Sequence, residues 1–181
     1  MKSPIYFIII IFFFSCNEDS QKKIDVENSK FSTSDASEIF FKNVRQRDYD
    51  RMEMPEAKLN IYRIQERNID SDYPNLFLAI VINWRHDEAY ILLEPNDLVP
   101  ENEIKVKWVD QKIKNEGEYV FNYGDKASHF VFAGQLYSSI NSQHDLFLIL
   151  DNEEVSILKS DQDRQSFRKT MKDYYRLIDL L

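Results

Sequence analysis

Leu76 to Trp84 is a nearly continuous apolar run, interrupted only by Asn83. A run of that length has no polar face to give to water, so it predicts a central strand covered on both sides. Arg85-His86-Asp87 turns it into Glu88–Glu94, a second strand closing a hairpin before Pro95. Ile104, Val106 and Trp108 alternate with Lys105 and Lys107, and Tyr119, Phe121 and Tyr123 repeat the period one segment later. Such alternation predicts half-exposed strands. A first strand is expected over residues 57–67, and a further hairpin over 146–159 around Asp151-Asn152-Glu153.

Three segments read as helices. Asp35 followed by Glu38 resembles a capping box, opening a helix to about Arg47 with Ile39, Phe40 and Val44 inward. Asp125 starts a second, with Phe130, Ala133, Tyr137 and Ile140 at helical spacing. Phe167, Met171, Tyr174, Ile178 and Leu181 draw one apolar stripe along a third. Strands that run consecutively between helices favour an α+β fold: a mostly antiparallel sheet with about three helices packed on it.

The N-terminus carries an address. Ten apolar residues, Ile5 to Phe14, follow Lys2 and lead into Ser15 and Cys16, the sole cysteine of the chain. The run is too short to span a bilayer, which takes about 20 residues as a helix, and matches the apolar region of a secretory signal. The box Phe13-Phe14-Ser15-Cys16 resembles that of bacterial lipoproteins, with Phe13 where Leu is usual and a bulky Phe14. The resemblance implies cleavage between Ser15 and Cys16 and lipidation of Cys16. It divides the chain into a signal peptide (1–15), an acylated tether (16–33) and a single domain (34–181). It also implies a membrane partner through the lipid anchor and a place in the bacterial cell envelope, the outer membrane favoured over the inner. The periplasmic and surface faces stay open. Glu18-Asp19 after the cysteine, with the segments Glu38–Arg45 and Phe167–Leu177, look like those of small Bacteroidota lipoproteins.

Charge narrows the function classes. The chain carries 23 Lys and Arg against 31 Asp and Glu, a formal charge of −8, and loss of the signal removes one further base. That balance speaks against nucleic acid, which selects a basic footprint. Only three Gly leave no room for a Gly-rich phosphate loop, and His86, His129 and His144 lie far apart, so no cofactor, metal or catalytic residue is assigned. His86-Asp87-Glu88 reads as a solvated turn, and Asp161-Gln162-Asp163 as acidic charge at a helix start.

Two patches stand as candidate interaction surfaces. Lys105, Lys107, Lys112 and Lys114 place basic residues around Trp108, and Tyr175 and Arg176 lie at the edge of the last apolar stripe. The sequence therefore favours a membrane-anchored accessory protein that binds an envelope protein without catalysis; an immunity-type lipoprotein neutralising a basic toxin is one version. The alternatives are a glycan-binding module, if Trp84 or Trp108 is exposed rather than buried as their strand phase suggests, and a small envelope hydrolase, if a cleft joins a histidine to a carboxylate and a serine.

Overall fold

A computed structural model describes residues 31–100 and 103–181. Ser15 and Cys16, the expected cleavage and lipidation positions, lie outside the described residues. The fold is α+β, with eight strands divided between two four-stranded antiparallel sheets. The first holds β1 (Tyr49–Met54), β2 (Leu59–Ile64), β3 (Leu76–Asn83) and β4 (Glu88–Pro95) in sequence order. The second is ordered β6-β5-β7-β8, from β5 (Ile104–Asp110), β6 (Asn115–Phe121), β7 (Asp145–Leu150) and β8 (Glu153–Ser156).

Residues 57–67 hold one strand, β2, but a strand the sequence does not announce precedes it. β1 reads Tyr-Asp-Arg-Met-Glu-Met and is exposed after Tyr49. As the outermost strand of its sheet it has one neighbour, β2, among the described residues, so its charged residues conceal the period. The β7–β8 turn is as expected, with Asp151 and Asn152 both left-handed at φ 47° and 68°. Two residues in that conformation match the twist of a tight hairpin.

The helices are α1 (Asp35–Phe40), α2 (Lys126–Asn141) and α3 (Asp161–Leu177). α1 continues into a π-helical turn, Phe41–Arg45, and a 3₁₀ turn, Gln46–Asp48. Its cap is Ser34, boxed reciprocally with Ser37, one residue before the expected Asp35–Glu38 pair. The inward phase expected for α1 is reversed. Ser37 and Phe41 are buried, whereas Ile39, Phe40 and Val44 are exposed. Phe41 stacks edge-on against Tyr62 and tilts over Tyr49, and the Ser37 hydroxyl donates to the Leu177 carbonyl at 2.7 Å, so these two contacts set the helix rotation. Phe31–Thr33, expected at the end of the tether, lies along the start of β4, with Ser32 bridged to Glu88.

α2 packs on β4, β6 and β7 and thereby joins the two sheets, while α3 packs on β3, β4 and α2. One continuous core results, fed by Leu78, Ile80 and Ile91 of the first sheet, Val106 and Leu148 of the second, and Phe130, Leu136, Met171 and Tyr174 of the helices. The α3 stripe is buried from Phe167 to Ile178, but the helix ends at Leu177 and Leu181 falls outside it, exposed.

Candidate functional site

β3 is buried on both faces, but among the described residues helices cover only one of them. Leu76, Leu78, Ile80 and Ile82 enter the main core; Ala79 and Val81 join Ile61 in a separate cluster on the outer face. The apolar residues packed around that cluster, Leu59, Tyr90 and Leu92, all belong to the same sheet. Cross-strand neighbours explain the burial. Val81 lies between Ile61 and Tyr90, and Ala79 between Arg63 and Leu92. The Arg63 guanidinium forks onto Glu94, with Nη2 2.6 Å from Oε1, and this pair closes one side. Met52, paired with Ile61 across the β1–β2 ladder, and Met54, paired with Leu59, extend the apolar face to the edge and are 42% and 40% exposed. The strip is apolar, flanked by Asp50 and the Arg63–Glu94 pair, and no helix packs on it among the described residues. Exposed apolar area of this kind marks an interaction surface.

The expected patches are not assembled this way. Strand alternation sends Lys105 and Lys107 outward and Trp108 inward, so the three do not form one patch. Lys107 pairs with Glu116 at 3.1 Å and Glu154 at 3.0 Å, and Lys105 with Glu103 at 2.6 Å. Trp108 is half-buried, its indole lying over Gly117 on β6, where a Cβ would sit 2.8 Å from the ring. Tyr175 is not at the edge of its helix but inside the core, 1% exposed and packed against Phe130, Tyr137 and Tyr174. Its phenol is pushed well above the usual range by burial. A residue one step from the stripe is buried because α2 covers that side of α3. Arg176 is half-exposed, 4.0 Å from Asp173. Trp84, expected to be buried, is 46% exposed past the end of β3, with the Lys58 ammonium 5.0 Å from the ring centre.

The residue types of a hydrolase do meet, with the serine buried beneath a half-buried histidine and aspartate. His144 Nδ1 is 3.2 Å from the Ser139 hydroxyl, which is 2.9 Å from the Tyr119 hydroxyl; His144 Nε2 is 3.4 Å from Asp110. Backbone N–H groups of Lys112 and Ile113 donate to Asp110 and hold its carboxyl below the usual range. Trp108 stacks on His144 at 4.9 Å and roofs the group. Ser139 is 1% exposed, so no acyl group can approach its oxygen in this arrangement. The network instead ties the end of α2 to β5 and β6. A cavity of about 10 Å³, room for one water, lies elsewhere, between Ile64, Leu76, Asp163 and Phe167.

Among the described residues, no group of three or more His, Cys, Asp or Glu is placed to hold a metal, and no helix is long and apolar enough to cross a membrane. No family model, curated protein or solved structure matches this chain.

Proposed function

We propose that the chain is a bacterial envelope lipoprotein, anchored through acylated Cys16, whose domain binds another envelope protein on the outer face of its first sheet. The observation that carries the binding role is the uncovered apolar strip of Leu59, Ile61, Tyr90 and Leu92, continued by Met52 and Met54. An acidic domain gives the approach of a basic partner a salt-dependent rate. The lipobox-like Phe13-Phe14-Ser15-Cys16 and the apolar segment before it support the anchor. Several acyl chains on one cysteine hold durably, since each buried CH₂ contributes about 0.8 kcal/mol.

The test is brief crosslinking in native membranes followed by purification of the full chain. Near-stoichiometric recovery of one protein, lost in Leu92→Lys, is the expected result. Recovery unchanged by Leu92→Lys and Tyr90→Ser overturns the face. Cys16→Ala separately reports on the anchor: release from membranes, or loss of processing, is expected, and unchanged retention of processed protein refutes it. A second reading, glycan contact, is favoured by the exposed Trp84 ring alone; quenching of indole fluorescence by envelope oligosaccharide, absent in Trp84→Ala, would select it.

A further inference from the structure

The outermost position of β1 has a consequence for assembly. Gln65 N–H donates to the Asp48 carbonyl at 3.0 Å, in register with the β1–β2 ladder. Backbone groups alternate sides along a strand, so Asp50, Met52 and Met54 direct theirs to β2, and Tyr49, Arg51 and Glu53 direct theirs away from the sheet. Every residue from Asp50 to Met54 is exposed. Among the described residues the strand thus presents an open row of donors and acceptors, which elsewhere is blunted by charge. Here the charges lie in an order that suits a copy of themselves.

We propose that two copies of this chain pair antiparallel through β1, centred on Met52, to make one eight-stranded sheet. In that register Arg51 faces Glu53 of the second copy, and Glu53 faces its Arg51. Each of these pairs exchanges both backbone bonds, because both residues point their groups outward. The neighbouring registers that keep the backbone in phase place Arg51 opposite Arg51, or Glu53 opposite Glu53, and like charges directly opposite are unfavourable. A shift by one residue puts inward-pointing groups against outward ones. Within one chain Arg51 and Glu53 are already 3.0 Å apart, on one face. Pairing sets these two against their counterparts as an alternating square of charge. On the other face Met52 meets Met52, so the apolar strip runs unbroken from one copy into the next. Pro55 follows immediately and ends the ladder. The contact is isologous, and its two-fold axis stands perpendicular to the sheet, so it closes at two copies.

The experiment uses the full chain in detergent micelles, with mass measured by light scattering and by sedimentation over a concentration series. The wild type is expected to dimerise, and Arg51→Glu and Glu53→Arg are each expected to weaken the dimer by roughly tenfold or more. The double swap Arg51→Glu/Glu53→Arg is expected to restore it, since the opposed charges are again unlike. All three changes lie on exposed side chains, and a circular dichroism spectrum confirms the fold. Directly opposed residues that do not exchange backbone bonds lie about 4.5 Å apart at Cα, within reach of a disulfide. Met52→Cys in a Cys16→Ala background is therefore expected to crosslink on mild oxidation, and Arg51→Cys is not. A monomer at every concentration, a dimer indifferent to Arg51→Glu, or a swap that fails to restore it overturns the proposal. Leu92→Lys leaves this pairing intact while removing the proposed partner, so the two readings fail separately.

Discussion

The Asp173 carboxylate is 2% exposed, yet it stays well served: Arg45 Nε donates at 2.8 Å and the Tyr49 hydroxyl at 2.7 Å. Burial, helped by the adjacent carboxylate, pushes the Tyr49 phenol far up, so it remains a donor throughout the physiological range. Removing the shared acceptor takes the carboxylate from the Tyr49 hydroxyl and leaves Arg45 paired with Asp48, 3.2 Å from its Nη1. Asp173→Ala is expected to cost about 1–3 kcal/mol, read as a lower denaturant midpoint, because a buried hydroxyl donor loses its charged acceptor. Gly117 shows the opposite constraint, space rather than charge. A Cβ there would press on three indole atoms of Trp108 at 2.8 Å, all within one rigid ring. Gly117→Ala is expected to destabilise by about 1–3 kcal/mol as the indole is forced off its stack with His144, and the near-ultraviolet dichroism of Trp108 should change with it. Sequence alternation placed Trp108 on the inner face; nothing in the pattern singled out Gly117 as the site that accommodates it.

At the scale of elements, capping and packing work through the same residues. Ser160 caps α3, its hydroxyl accepting from the Asp163 N–H at 3.0 Å, while Asp163 returns a bond to the Ser160 N–H at 3.2 Å. Asp163 also accepts from the Asn75 side chain at 3.0 Å and from the Tyr73 hydroxyl, tying the helix start to the segment before β3. Ser160→Ala should therefore cost about 1 kcal/mol, the usual loss of a cap, and Asp163→Ala more, since two further donors lose their partner. Urea midpoints in the order wild type, Ser160→Ala, Asp163→Ala would establish this; equal midpoints for the two variants would reject it. Acidic charge at this helix start was legible in Asp161-Gln162-Asp163. Its burial was not, because Tyr73 and Asn75 approach from nearly ninety positions away. The π turn after α1 was equally hidden. It lets Phe41 pack on Tyr49 and Tyr62 while Arg45 reaches Asp173, a compromise between two tertiary contacts rather than a local preference.

For the whole molecule, α2 is the joint, and His129 is one of its contacts with the first sheet. Nδ1 accepts from the Leu93 N–H at 3.1 Å, closing a backbone donor on the edge of β4, while Phe121 of the second sheet packs on the ring. Burial holds its pKa below 6.5, and only the nearby Asp125 pulls the other way. A neutral imidazole is thus favoured when folded, so the unfolded chain binds the extra proton first. Stability from this group is complete above pH 6.5 and falls as the pH drops from there toward the lowered folded value. Urea midpoints measured from pH 7.5 to 5 should decline, and His129→Gln should flatten the part of the curve this residue supplies; an unchanged slope would refute the assignment. Pattern alone determined the α+β class, the β3–β4 and β7–β8 hairpins, and the positions of α2 and α3. Their periods of two and of 3.6 residues are local properties of the chain, and burial writes them into neighbouring positions. Only tertiary structure decided that the strands split into two sheets, that β1 exists at the edge, that Tyr175 is inside and Ile39 outside, and that the outer face of β3 is left to its own neighbours. Each depends on which distant surface covers a residue, and coverage by a distant surface leaves no period in the sequence.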